Sequence, residues 1–165
     1  MNSPIAELFL GYSVRKLHDV TRCVEACLAT LSEDQVWERH AAHENTVANL
    51  LLHLCGNTRQ WIMYGVAAQT DVRTRDAEFN ADGGLSKAAL LTLFKDTLAQ
   101  AIAVLETLPR ERLTDRTDPQ QRGEVSVLEA IYQVVGHVQQ HTGQIILLTK
   151  QMSNRDLDLT IPRPR

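Results

Sequence analysis

SVLEAIYQVVGHVQQHTGQIILLTKQM, residues 126 to 152, repeats its apolar side chains at helical intervals. Steps of three and four residues pick out Val127, Ala130, Val134, His137, His141, Ile145 and Leu148, a stripe that is apolar except for its two histidines. Ser126 and Glu129 stand in capping-box spacing ahead of it, and the pattern predicts helix to about Met152. Residues four apart on a helix stand one above the other, so His137 and His141 point together at whatever the stripe packs against. Buried without partners, two imidazoles would cost roughly 1 to 3 kcal/mol each, so they need either a metal ion or hydrogen-bonding groups in the core. With six histidines in 165 residues, spacing alone leaves both open.

Working back along the chain, RERLTDRTDPQQRG (110–123) reads as a polar linker. Before it, Ser86 caps a helix that runs through about Leu108 with Leu90, Leu93, Leu98, Ile102 and Leu105 apolar, and Pro109 ends it. The segment AAQTDVRTRDAEFNADGGL (67–85) is polar, closes on two glycines and is long for a connection in a helical bundle, so it crosses or covers something. Asn45 or Thr46 caps the preceding helix, whose apolar face is Val47, Leu50, Leu51, Leu54, Thr58, Trp61 and Ile62, as far as about Val66. Asn49, His53, Asn57 and Gln60 flank that face, as a solvated edge or as the wall of a pocket. The first helix is expected from Ser3 as cap and Pro4 at its first position to about Leu31. Its expected core stripe is Ile5, Leu8, Tyr12, Leu17, Val20, Val24, Cys27 and Leu31. In SEDQVWER (32–39), Ser32 and Gln35 stand in capping-box spacing and predict a helical turn presenting Trp37.

Strand-like alternation is nearly absent, glycine-rich phosphate loops and nucleophile elbows are missing from the pattern, and the reading is all-α: one domain over 1–165 built as a four-helix bundle. The net charge of -3 and dispersed lysines and arginines offer no basic field, which argues against nucleic acid. No run of apolar residues reaches membrane-spanning length, and MNSPIAELFLGYSVRK lacks the basic lead and apolar core of a secretory leader, so a cytoplasmic protein without a membrane partner is expected. Three cysteines without zinc-type spacing read as small buried thiols.

Metal sites in helical bundles take side chains from facing helices, so the His137 and His141 pair would need a third ligand. His53 is the best placed, beside the Leu50 and Leu54 seam; His18, His40 and His43 read as surface residues. Three imidazoles leave coordination positions open, the pattern of a reactive site. Asn57, Gln60, Trp61 and Tyr64 then line the approach, although Trp61 reads equally as packing. Arg73 and Arg75 are placed to meet a substrate carboxylate from the long loop, or to be ordinary exposed arginines.

ENTVANLLLHLCGNTRQWI (44–62), followed by EAIYQVVGHVQQHTGQIILLTK (129–150), resembles the DinB superfamily, the DinB/YfiT-like metal-binding four-helix bundles, and specifically a bacterial branch of it. The histidine of the second helix, the HxxxH pair, the HTGQ continuation, RDAEF (75–79) and GGLSK (83–87) carry the resemblance, which covers nearly the whole chain. It implies an up-down-down-up bundle, often a homodimer, in which His53, His137 and His141 bind a divalent ion such as zinc or nickel. Parallel second and third helices need a crossover along a helix of about 30 Å, within the reach of the 67–85 loop. Members of the superfamily include transferases and isomerases acting with small thiols such as bacillithiol, mycothiol or glutathione, the metal activating the thiol. Relatives of this branch often carry an acidic residue just before the HxxxH pair, where this chain has Gly136. Two functions follow. One is a metal-dependent transferase acting with a small thiol on a small-molecule substrate. The other is a non-catalytic metal or small-molecule binding module whose ion stabilises the bundle.

Overall fold

The chain's structure is a computed structural model that describes residues 4–159; the expected Ser3 cap and most of the tail DLTIPRPR lie outside the described residues. The long helices are α1 (Pro4–Thr30), α2 (Val47–Thr58), α4 (Lys87–Thr107) and α5 (Val127–Ser153), and a short α3 (Arg75–Asn80) lies within the crossover between α2 and α4. Capping chemistry sets three of the four starts. Thr46 and Asn49 form a reciprocal box at α2, Ser126 and Glu129 another at α5, and the Ser86 side chain accepts from the Ala89 N–H at α4. Ser32 and Gln35 also cap each other in the expected turn, which drops Val36 into the core and lets the Trp37 indole N–H donate to Leu85 O at 3.0 Å.

Polar contacts fix the helix directions. α4 runs against α1, because Lys87 Nζ meets Leu31 O at 2.6 Å, Lys95 meets Glu25 at 3.0 Å and Arg110 meets Glu7 at 2.8 Å, each pair further from α1's end. α2 runs with α4: Asn49 reaches Ala81 O just ahead of α4, and the Cys55 thiol bonds Thr97 within it. α5 runs with α1, since Cys27 bonds Thr149 and Gln35 reaches Met152 O. The order is up-down-down-up, with α1 packed on α4 and α5, and α2 packed on the same two. The core between them includes Leu17, Leu28, Leu50, Leu54, Phe94 and Ile131, all at 2 % exposure or less. Among the described residues α4 is the one helix long and apolar enough to cross a membrane by length and composition; here its Leu90, Phe94, Leu98 and Leu105 are buried in the bundle.

Three expectations need correction. In the first two turns of α1 the buried positions are Ala6, Leu10 and Ser13, while Ile5, Leu8 and Tyr12 stand 75 %, 70 % and 54 % exposed. Two apolar phases run through this stretch, and Ser13 is tolerated on the inner one because its Oγ donates to Phe9 O at 2.8 Å. The end of the second helix is not α-helical: Arg59–Tyr64 form a π-helical turn, with Gly65 N bonding Gln60 O and Ala67 N bonding Ile62 O. The linker after α4 is also ordered. It makes a 3₁₀ turn (Arg110–Thr114), then strand β1 (Arg116–Thr117), which pairs antiparallel with β2 (Val125–Ser126). Thr117 Oγ1 donates to Gly65 O at 2.6 Å, and Pro119 packs so closely on Gly65 that a side chain there would strike it, so this small hairpin is held against the end of α2.

Phe94 is wholly buried on α4. Phe94→Ala should lower unfolding free energy by about 3 to 5 kcal/mol in urea; a loss below about 1 kcal/mol would contradict its place in the core.

Candidate metal centre

His53 sits mid-α2, and α5 delivers His137 and His141 from the facing helix. The three rings make a compact triangle with centroids 4.9, 5.1 and 4.4 Å apart, and one nitrogen from each lies within 4.8 Å of the other two. His53 Nε2 and His137 Nε2 are 2.8 Å apart. His53 is buried, but His137 and His141 are half-buried, which corrects their expected place on the centre of the core stripe. Val134, Val138, Thr142 and Ile145 take the core side of α5; the histidines lie one step around the helix, where α5 faces α2 and a cavity.

Each of two rings has its outer nitrogen engaged. His53 Nδ1 lies 3.0 Å from Glu78 Oε2 and 3.2 Å from Arg73 Nη2. The nearer carboxylate only accepts and the guanidinium Nη2 has its own bond to Glu78 Oε2 at 2.9 Å, so the proton is assigned to Nδ1, bonded to Glu78, which leaves Nε2 bare toward the other rings. His141 Nδ1 lies 2.6 Å from Gln144 Oε1, which assigns its Nδ1 as donor in the same way. Outer-nitrogen bonds to a carboxylate or carbonyl are what orient metal-binding imidazoles. The donor set therefore suits a divalent ion, and the three histidines together suggest a divalent metal site.

Glu78 was not legible as part of this site, and Arg73, expected as one that meets a substrate carboxylate or as an ordinary exposed arginine, takes a different part. Arg73 does not extend toward a substrate: its Nε and Nη2 grip both Glu78 oxygens at 2.8 and 2.9 Å, and its Nη1 donates to Gln60 Oε1 at 2.9 Å. Burial pushes the Glu78 carboxyl up, but its bonds with Arg73 and His53 outweigh this and its pKa ends below the ordinary value. The sequence signal was the carboxylate in RDAEF, within a segment expected to cross or cover something. Gly56 makes the contact possible. A Cβ there would collide with the Glu78 carboxylate, so the bare backbone of α2 is what lets the crossover lie this close.

A cavity of about 500 Å³ opens over His53 and His137. Asn57, Gln60 and Trp61 form its α2 wall and the crossover adds Arg73 and Arg75. Gln120 and Arg122 reach in from the β1–β2 turn and Gln133 from α5. Tyr64 is not among the lining residues. Burial, then the neighbouring His141, His53 and Arg73, push the His137 pKa down to about 4; burial also lowers that of His141, against the opposing bond with Gln144. Both rings are neutral at physiological pH, the form that coordinates metal.

Three imidazoles carried by two antiparallel helices, in this order of helices, define the class: an all-α bundle with the fold of DinB-like proteins. A family model described as "Protein of unknown function (DUF1572)" matches residues 4–165, and the chain belongs to that family. Among solved structures, a DinB-like protein from Bacillus subtilis is similar over 88 % of this chain and 94 % of its own, at 16 % identity and a TM-score of 0.67. A conserved protein from Enterococcus faecalis is similar over 88 % and 97 %, at 16 % identity and a TM-score of 0.65. A histidine-to-alanine mutant of mycothiol-dependent maleylpyruvate isomerase is similar over 82 % of this chain at 14 % identity and a TM-score of 0.66; this chain covers 60 % of that one. These likenesses are of fold. No curated protein matches the sequence.

Two outcomes test the centre. Gly56→Ala should displace Glu78 and weaken zinc binding about 10- to 100-fold while helix content stays unchanged by circular dichroism; unaltered affinity would remove Glu78 from the site. The pH dependence has a definite sign. The His137 pKa falls from 6.5 to about 4 on folding, so the stability tied to its neutral form is fully present above 6.5 and lost as pH falls toward 4. The melting temperature of chelator-treated protein should drop across that window, and less steeply in His137→Gln.

Proposed function

We propose that the protein is a metal-dependent transferase acting with a small thiol, with His53, His137 and His141 as the ligands of a divalent ion, zinc or nickel, in a cytoplasmic setting. The observation that carries this reading is the cavity: the imidazoles stand at the base of an open space large enough for a small organic molecule, so a bound ion would keep a position free for an incoming ligand. A divalent ion held there supplies one thing, a thiol in its thiolate form at neutral pH.

The chain's own residues do the rest. Glu78 and Gln144 hold two of the rings in the tautomer that leaves Nε2 free. Gln60, braced by Arg73 and by Gln120 at 3.3 Å, and Trp61 shape the approach. None of the protein's three cysteines lines this cavity, and burial pushes the Cys55 pKa up to about 11 and also raises those of Cys23 and Cys27. The thiol is therefore taken from outside, and the mycothiol dependence named for the isomerase of similar fold supports that choice. The alternative, a binding module whose ion stabilises the bundle, draws on the Glu78 and His53 bond, through which an ion would also tie down the crossover.

We further propose a homodimer packed through α1, whose Ile5, Leu8 and Tyr12 form an exposed apolar stripe at helical spacing. Light scattering should give about twice the chain mass of 18.5 kDa at micromolar concentration, and Leu8→Glu should halve it; a monomeric wild type would end this part.

Elemental analysis should find one divalent ion per chain, lost in His53→Ala and His141→Ala. In the cobalt-substituted protein, glutathione, bacillithiol or mycothiol should produce a sulfur-to-metal charge-transfer band, absent in His137→Ala, together with transfer to an electrophilic acceptor. Metal-loaded protein that shows the band without turnover would favour the binding module. No band with any thiol would sink the thiol reading.

A further inference from the structure

The cavity wall is strongly one-sided in charge. Arg73, Arg75 and Arg122 line it and no carboxylate does. Glu78 lies behind Arg73 and His53, Asp71 accepts from Gln60 Nε2 and the Arg73 N–H, and Asp118 is held by the N–H groups of Arg122 and Gly123. Arg73 is neutralised by its two bonds to Glu78. The other two are not. Among the described residues the Arg75 guanidinium makes only a stacking contact, 4.9 Å from the Phe79 ring centroid, and Arg122 has no acidic side-chain partner.

A second observation comes from α2. Asn57, one turn beyond His53 and 5 % exposed, buries its Oδ1 without a hydrogen-bond partner, and Trp61, one turn further, buries its indole N–H likewise. Both side chains line the cavity. An unsatisfied buried polar atom costs about 1 to 3 kcal/mol, so a small turn of either side chain that brings its orphan atom to an occupant of the cavity is favoured by the bond it gains.

We infer that the cavity is a site for a small organic acid: its carboxylate is held by Arg75 and Arg122, and an N–H in the body of the ligand donates to Asn57 Oδ1. The inference deepens the proposed function by naming the substrate class, and rests on that reading only for which end of the ligand faces the ion. Arg75 and Arg122 are exposed guanidinium groups on one cavity wall, each able to take a planar carboxylate in paired hydrogen bonds, and the absence of carboxylates on that wall leaves no group to repel it. The amide acceptor beside the histidines then distinguishes an amide-bearing acid from other anions.

The probe is N-acetylglycine, which has the acid and the amide N–H but no thiol, titrated against the full-length zinc-loaded protein by calorimetry and by tryptophan fluorescence, to which Trp61 reports. It should bind saturably and at least about tenfold more tightly than its uncharged methylamide, and Arg75→Gln and Arg122→Gln should each weaken it about tenfold or more. Acetoxyacetate, with an ester oxygen in place of the N–H, should bind less well to wild type and equally well to Asn57→Leu. Melting curves of the three variants confirm that they fold. Equal binding of the acid and its methylamide overturns the inference, as does inorganic phosphate binding as tightly as the acid with no effect of Asn57→Leu. A zinc-free His137→Ala protein separates this outcome from that of the metal. Retained binding of the acid supports the arginine site even if the thiol reading fails; a cobalt-thiol band in wild type beside indifference to the acid leaves the metal reading standing and removes this one.

Discussion

Burying Glu78 is the constraint on which the site depends. Taking a carboxylate and a guanidinium out of water carries an effective penalty of several kcal/mol per ion, offset only when the remaining hydrogen-bonding capacity is satisfied. Here both Glu78 oxygens are bonded by Arg73, one of them also meets His53, and the Arg73 side chain is only 3 % exposed. Arg73 and Glu78 both belong to the crossover, so their pair moves with it, and the Glu78 bond to His53 is what ties the pair to α2. Asn49 adds a second clamp: Oδ1 closes the capping box of α2 while Nδ2 donates to Glu78 O and Ala81 O at the two ends of the same stretch. One helix start and one loop are thus held by a single amide, and Gly56 supplies the space in which they meet.

The parts of the fold written in local chemistry were legible in the sequence. Thr46, Ser86 and Ser126 begin their helices because a hydroxyl that bonds a free backbone N–H does so within a few residues of itself. The triangle of histidines was within reach for a related reason: HxxxH fixes two rings on one face, and His53 beside a leucine seam leaves little choice of partner. The face of α1 was not, because Ile5, Leu8 and Tyr12 are as apolar as the residues that replace them inside, and only contacts with α4 and α5 choose between the phases. Glu78 escaped as well, and so did its pairing with Arg73. Their pairing joins two charged residues of a polar segment to a histidine 25 positions from Glu78, and composition marks such a segment as loop whatever it encloses. The π-helical turn at Arg59–Tyr64 left no sign in the hydrophobic period, which passes through Thr58, Trp61 and Ile62 without a break.

The same positive charge acts on both halves of the cavity. Burial first, and then the neighbouring imidazoles and Arg73, keep His137 from taking up a proton, so its ring is available as a neutral donor well below neutral pH. Arg73 can lie this close to the histidines because Glu78 neutralises it; without that carboxylate a third bare guanidinium would face the site.

The charge balance then favours one kind of occupant. Arg73 and Glu78 cancel, and three neutral imidazoles contribute nothing, so a divalent ion on them would leave its full charge facing a space that Arg75 and Arg122 also line. In a partly enclosed cavity such charges are screened less than at an open surface, and they favour ligands that bring negative charge to both ends. A thiolate at the ion and a carboxylate at the arginines satisfy that condition within one small molecule or between two. Because the arginines come from the crossover and from the β1–β2 turn while the histidines come from α2 and α5, the two ends of the cavity are held by different elements. Arg122, from the β1–β2 turn, can therefore change without disturbing the histidines, whereas Arg75 shares α3 with Glu78, the carboxylate behind His53, and is tied to their geometry.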